Sequence, residues 1–351
     1  WYFGGGCRKV FGQGTVSYNP TQLHNCMAKR IDVKNPRIFF GTAAPMDKKG
    51  CLNLSLGIMV EKDAIENADL VVIEVNENLP RTHGDTLIHI RDVDVIVENH
   101  RPVPALPSVV PTDKDKLIGQ YIAELVEDGS TIQLGIGGIP NAAALFLADK
   151  RDLGVHTEML SDAIVDLVEA GAITGREKTI WKDKIVATFA FGSKKLYDFI
   201  HDNPMIEMQR GSVVNDPYVV GQNHKMVSIN TTLQVDLFGQ CCSEAIGFRQ
   251  YSGSGGAADT TAGAQKSKGG KSIMALYSTV KEDSLSSIVP VLSPGAAVTL
   301  SRNDVDYVVT EYGIASLRGT NLAERVKRLS AVAHPKFRDM LLEEAKKMQL
   351  C

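Results

Sequence analysis

TIQLGIGGIPNAAALFLADK at 131–150, with GVHTEMLSDAIVDLVEA following at 154–170, decides the fold. Each half runs from an apolar strand through a short corner into a helix. The segment 131–137 (TIQLGIG) has the apolar, β-prone character of a strand. Asn141–Lys150 is an alanine- and leucine-rich helix opened by Pro140, whose fixed φ suits a first turn. The next strand, 154–159, ends in His156-Thr157-Glu158-Met159. Ser161 then caps a helix with Asp162 in its positive first turn and Ile164, Leu167 and Val168 along one face. Strand alternating with helix predicts an α/β architecture.

Working outward, ADLVVIEV at 68–75 is a continuous apolar run, as expected of a strand buried on both faces. Further strands are expected at 183–192, 226–238, 271–279 and 297–310. Four prolines in RPVPALPSVVPTD (101–113) forbid regular structure and favour an extended connector. The predicted division is a first domain at 1–104, a linker at 105–113 and a larger domain at 114–351. Residues 321–350 read as two amphipathic helices parted near Pro335, forming a cover on a sheet. The segment 247–270 holds seven glycines in twenty-four residues, a backbone freedom that asks for a reason.

Composition narrows the function. The 351 residues suffice for about two domains, and with 44% hydrophobic and 23% charged residues the chain can bury substantial cores. Thirty-eight basic against forty-one acidic residues leave a net charge of −3, which argues against nucleic acid or an anionic membrane as partner. Six cysteines without C-x-x-C pairing or histidines at ligand spacing predict no metal centre and fit the reduced thiols of a cytoplasmic protein. Apolar runs such as Leu70–Ile73 fall far short of the roughly 18 residues a membrane span needs. Trp1-Tyr2-Phe3 lacks the blocks of a signal peptide, and the expectation is that the start of the chain is missing.

Three constellations could carry chemistry. Gly135-Ile136-Gly137-Gly138-Ile139-Pro140 joins a strand to a helix, where free N–H groups favour negative charge. It could hold a phosphate, a thioester oxygen or a carboxylate, and it could equally be a tight turn without a ligand. Pro140 stands where G-x-G-x-x-G requires glycine, which argues against a dinucleotide. The second constellation places Glu158 beyond the carboxyl end of a strand, where open α/β sheets bind ligands, while a solvated glutamate is the plain alternative. His156 alternates with it and reads as a core histidine, and Asp162 as a first-turn acid. The third is Tyr251-Ser252-Gly253-Ser254-Gly255-Gly256 with Lys266, Lys268 and Lys271, which suits a diphosphate or a pantetheine arm or, taken singly, solvated lysines. Arg81–Asp85 could orient a carboxylate or form a polar turn. No G-x-S-x-G elbow supports Ser-His-Asp catalysis.

Taken together, GIGGIPNAA (135–143), HTEMLSDAIVDLVEAGAI (156–173), MVSINTTLQVDLFGQ (226–240), YSGSGGAADTTAGAQKSKGGK (251–271), EYGIASLRG (311–319) and AHPKFRD (333–339) resemble the acetyl-CoA hydrolase/transferase family, over nearly the whole chain. Within it the chain is most similar to 4-hydroxybutyrate and butyrate:acetate CoA-transferases. Members carry several tens of residues before the point matching Trp1. The resemblance implies two open α/β domains of the NagB/RpiA/CoA-transferase-like type with the active site between them, no permanently bound cofactor, and coenzyme A as substrate and covalent intermediate. It implies Glu158 as nucleophile. Gly135, Ile136, Gly137, Gly138 and Ile139 would line the coenzyme A site, and Gly256 would be a coenzyme-contacting glycine whose N–H serves an oxyanion. It sets Asn215 near the thioester and Leu233 at a coenzyme-contacting position, although core packing is the reading preferred here for Leu233. Acyl-CoA and small carboxylates would be the substrates, and a homodimer the default assembly. The competing expectations are a hydrolase using the same glutamate, a nucleotide-binding oxidoreductase and a non-catalytic binding subunit.

Overall fold

The computed structural model describes residues 3–107 and 109–350. The N-terminal part is built on a three-stranded parallel sheet of β1 (Ile38–Ala43), β2 (Leu70–Val75) and β3 (Val95–Glu98), in that spatial order. β2 is not buried on both faces as its apolar run predicts. Val71, Ile73 and Val75 are buried, while Leu70, Val72 and Glu74 are only partly so. The sheet packs on one side alone, and Ile38, Phe40, Val95 and Val97 of its neighbours stand exposed.

The second sheet has eight strands: β4 (Thr131–Leu134), β5 (Gly154–His156), β6 (Ile185–Ala187), β7 (Ile206–Met208), β8 (Met226–Thr231), β9 (Lys271–Ala275), β10 (Tyr307–Thr310) and β11 (Gly313–Ser316). Their spatial order is β7-β6-β5-β4-β8-β9-β10-β11, parallel except for the final antiparallel pair. The chain steps outward from β4 to β7 and then returns to the other flank of β4. The crevice above β4 and β8 is therefore the topological switch point, where open α/β sheets bind their ligands.

Several strand expectations are shortened. Of 297–310 only 307–310 is strand, because turns around Asn303 and Asp304 carry the earlier part. The run 226–238 breaks after Thr231, and a separate short strand follows at Gln234–Asp236. β1, β3, β7 and β11 were not expected.

Helices α1 (Asp113–Leu125), α2 (Gly138–Leu147), α3 (Asp162–Glu169), α4 (Gly211–Val214) and α5 (Ala257–Lys266) connect and cover the strands. α6 (Leu322–Val332) and α7 (Pro335–Lys347) form the C-terminal cover, with Pro335 opening α7 as the sequence predicts. The described residues of 101–112 have no helix or strand, and Thr112 then closes a capping box with Asp115. α2 starts at Gly138, three residues before the expected Asn141, so the glycine turn is itself the N-cap. α1 and α2 pack closely because Gly119 has no side chain. A Cβ there would lie 2.6 Å from the main chain of Ala142.

One apolar core runs from Ile58 and Ile73 through Ile118 and Leu134 to Val155 and Ile229, joining the two parts of the molecule. A second core, with Val308, Val326, Leu329 and Leu341, lies beneath α6 and α7.

Candidate active site

The register of β4 against β5 pairs Thr131 with Gly154 and Ile132 with Val155, an offset of 23. Carried three residues past Ile132, it sets Gly135 level with Glu158, on neighbouring strands about 4.8 Å apart. The Thr157 hydroxyl ties the two ends together by donating to the Leu134 carbonyl at 3.3 Å. The glycine turn and the glutamate thus emerge side by side.

Within the turn, Gly137 has φ +116°, a conformation L side chains rarely adopt. Gly138 is required for a different reason, since a Cβ would lie 2.6 Å from the Asp115 carboxylate. Ile139 is buried in the main core, and a Cβ on Gly135 would meet only the Pro140 ring, at 3.9 Å. Ile136 is 46% exposed and stands between two hollows.

A cavity of about 290 Å³ lies on the switch point, between the turn (Ile136–Pro140), Thr231–Leu233 after β8, and Ala275–Tyr277 at the end of β9. A second, mostly apolar cavity of about 560 Å³ shares Ile136 and Gly137 and is walled by Leu106 and Val110 of the connector, α2, α3 and Phe191. Both are of the order of small-molecule sites. Leu233 is half-buried and faces the smaller cavity, so the core-packing reading preferred for it does not hold.

Glu158 is the centre of the polar cluster. Its Oε2 accepts a hydrogen bond from Asn215 Nδ2 at 3.0 Å. Gly256 packs against both groups: a Cβ there would lie 2.0 Å from Glu158 Oε2 and 2.1 Å from Asn215 Nδ2. Its φ of −92° is open to any residue, so glycine is needed here for room, not for backbone freedom. Burial pushes the Glu158 carboxyl up to about 7, and Asp259 adds to the rise, while the Asn215 amide and the Gly256 N–H oppose it. Asp259 is buried in the first turn of α5. It accepts from the His24 main-chain N–H at 3.0 Å and contacts His24 Nδ1 at 2.8 Å. Tyr18 bonds to Ser254 in the same loop, so the N-terminal segment closes over the C-terminal glycine loop.

Other expected residues have structural partners. His156 is fully buried, with Nε2 2.8 Å from the Val214 carbonyl. Asp162 accepts from the Ser193 N–H and hydroxyl. Arg81 pairs with Asp47, Thr82 bonds the Ser55 carbonyl and Asp85 pairs with Arg210, so this run is a polar turn.

The lysines do not surround the glycine loop. Lys266 is at the far end of α5 from Gly256 and sits over the Tyr218 ring, and Lys268 is exposed. Lys271 opens β9 at the opposite edge of the sheet, bonded to the Leu125 carbonyl and Glu127. A diphosphate cradle built from these groups is ruled out. The intervening helix α5, which went unread behind its glycines, is what separates them.

Tyr277 was overlooked, although the rule that singled out Glu158 applies to it. It follows β9 at the carboxyl end, faces the switch-point cavity and donates to Asp115 at 2.6 Å. The His24–Asp259 contact spans 235 residues and had no local signal.

Comparisons with known proteins identify the family. Residues 1–107 match the acetyl-CoA hydrolase/transferase N-terminal domain and 192–345 the C-terminal domain. The chain is 47% identical to a 4-hydroxybutyrate coenzyme A transferase of Clostridium kluyveri, over 98% of its own length and 81% of that protein's. It is 45% identical to a succinyl-CoA:cyclohexane-1-carboxylate CoA transferase of Geobacter metallireducens, over 99% and 80%. Among solved structures, RipA from Yersinia pestis superposes with a TM-score of 0.94 at 38% identity, covering 100% of this chain and 81% of that one. The chain belongs to the acetyl-CoA hydrolase/transferase family.

Proposed function

We propose that this chain transfers coenzyme A from a short-chain acyl-CoA (4-hydroxybutyryl-, butyryl- or acetyl-CoA) to a small carboxylate such as acetate, with Glu158 carrying the coenzyme as a thioester. The observation that carries the reading is the Glu158 carboxyl held between the Asn215 amide and the Gly256 main chain, one strand from the glycine turn. In this reading residues 1–104 and 114–351 are two functional domains joined by the 105–113 connector.

A carboxylate oxygen of Glu158 attacks the thioester carbonyl, and the resulting oxyanion collapses with loss of the coenzyme thiolate to an acyl-glutamyl anhydride. The thiolate then attacks the glutamyl carbonyl, the first carboxylate departs, and a glutamyl-CoA thioester remains. An incoming carboxylate attacks that thioester and reverses the sequence. No proton need be taken up or released overall, and the thioester bond energy stays on the protein.

Each tetrahedral oxyanion needs preformed donors, each worth about 3 kcal/mol at acyl-transfer sites. The Gly256 N–H and the Asn215 amide are the donors nearest to the carboxyl. Gly135–Ile139, Leu233 and Gly256 would flank the pantetheine arm. Leu233 and Ile136–Ile139 line one cavity at the switch point, which supports the assignment for them; Gly135 and Gly256 do not line it.

The test is exchange by the purified protein with butyryl-CoA and acetate, followed by a panel of donors and acceptors. The expected result is acetyl-CoA formed in proportion to acetate, with negligible thiol release in its absence. Thiol release at the same rate without any carboxylate would favour the hydrolase instead.

A further inference from the structure

We propose that His156 is a positioning residue: through the Val214 carbonyl and helix α4 it sets the amide of Asn215 on the Glu158 carboxylate. The proposal rests on the reading of Glu158 as nucleophile. A carbonyl oxygen can only accept, so the 2.8 Å contact requires the proton on His156 Nε2. Nδ1 then has a lone pair and no hydrogen-bond partner among the described residues. Burial drives the ring far down, to about 3, and nearby Lys178 contributes. His156 is thereby a neutral, fixed donor whose one bond goes to main chain.

The position of Val214 explains why that bond matters. It ends the four-residue helix α4, and the next residue is Asn215. So short a helix has no stability of its own, because nucleation costs more than one turn returns. The placement of Asn215 is therefore inherited from what holds α4. At its start, Arg210 pairs with Asp63 at 2.8 Å, Glu66 at 2.6 Å and Asp85 at 2.8 Å, and Gly211 N–H donates to the Met59 carbonyl at 3.0 Å. At its end, His156 ties it to the end of β5, two residues before Glu158. One strand thus fixes both the carboxylate and, through the helix, the amide that contacts it.

The experiment compares His156→Leu, His156→Gln, His156→Asn, Asn215→Ala, Glu158→Gln and the double variant His156→Leu/Asn215→Ala, by kcat, KM and pH profile. Gln keeps an N–H at the reach of Nε2; Asn is polar but too short. The proposal expects His156→Leu to lower kcat roughly 10- to 100-fold, with the KM for acyl-CoA within about threefold. Adding the Leu substitution to Asn215→Ala should cost no more than about twofold, because the two act in series. Gln should restore most of kcat and Asn should not, and this pair decides the matter if the Leu variant does not fold. The acidic limb of kcat/KM should move upward in His156→Leu as in Asn215→Ala, since the amide favours the charged carboxylate. Asp259 on α5, with its partner His24, and Lys178 beside the imidazole are the other titratable groups facing this cluster, and none is altered. Losses that multiply in the double variant, or native kcat in His156→Leu or His156→Asn, would overturn the proposal. Activity surviving in Glu158→Gln would instead overturn the reading of the nucleophile.

Discussion

Glu158 is poised near neutrality because it is buried beside a second carboxylate and held by only two donors. In the proposed mechanism the attacking species is the carboxylate, so kcat/KM should fall about tenfold per pH unit below 7 and level off above it. A pH–rate profile checks this, and a limb near the ordinary carboxyl value would count against it. The same shift carries a stability cost. A carboxyl raised in the folded state contributes stability that is fully present below its ordinary value and is lost as pH rises through about 7. Glu158→Gln should therefore abolish exchange yet unfold at higher temperature than the native chain at pH 8, with no gain at pH 4. Gly256 makes the complementary argument about space. A methyl group there would lie 2.0 Å from Glu158 Oε2, so Gly256→Ala should fold normally and, in the proposed mechanism, lose at least about 100-fold in kcat. An alanine variant with native rates would show that the carboxylate has room it is not meant to have.

At the scale of elements, the order β5-β4-β8-β9 gathers the glycine turn, Glu158, Leu233 and Tyr277 at one edge of the sheet. The first two were legible as strand-to-helix corners, because apolar runs and glycines are local signals; the Ser161 side chain, expected to cap the helix, makes no capping hydrogen bond. The break after Thr231 was not, since nothing between Met226 and Phe238 marks where pairing with β9 stops. That break turns Leu233 from an expected core residue into a cavity wall. Leu233→Trp should narrow the 290 Å³ cavity and raise the KM for acyl-CoA roughly tenfold, with kcat within about threefold. Initial-rate kinetics at saturating acetate measure both. The glycine-rich segment misled in another way: helix α5 lies inside it, and Lys266 and Lys271, close in sequence to the loop, end up away from it. The missed strands β1, β3, β7 and β11 are only three to six residues long, too short for a periodic pattern to declare them.

For the whole molecule, alternation of strand and helix and the proline-rich connector were enough to read α/β architecture in two parts. What local patterns could not supply is how the parts meet. Ion pairs of Arg210 with Asp63, Glu66 and Asp85, and the contact of His24 with Asp259, join residues more than a hundred positions apart. They bring the N-terminal segment over Gly256 and Glu158, making the site a product of the full tertiary fold. The central claim is that the intact chain takes coenzyme A onto one side chain. Incubation with acyl-CoA in the absence of acceptor, borohydride treatment and peptide mass spectrometry measure it directly. The account predicts modification of Glu158 alone, with the glutamyl thioester reduced to the alcohol; an unmodified Glu158 in a chain that is turning over would contradict it.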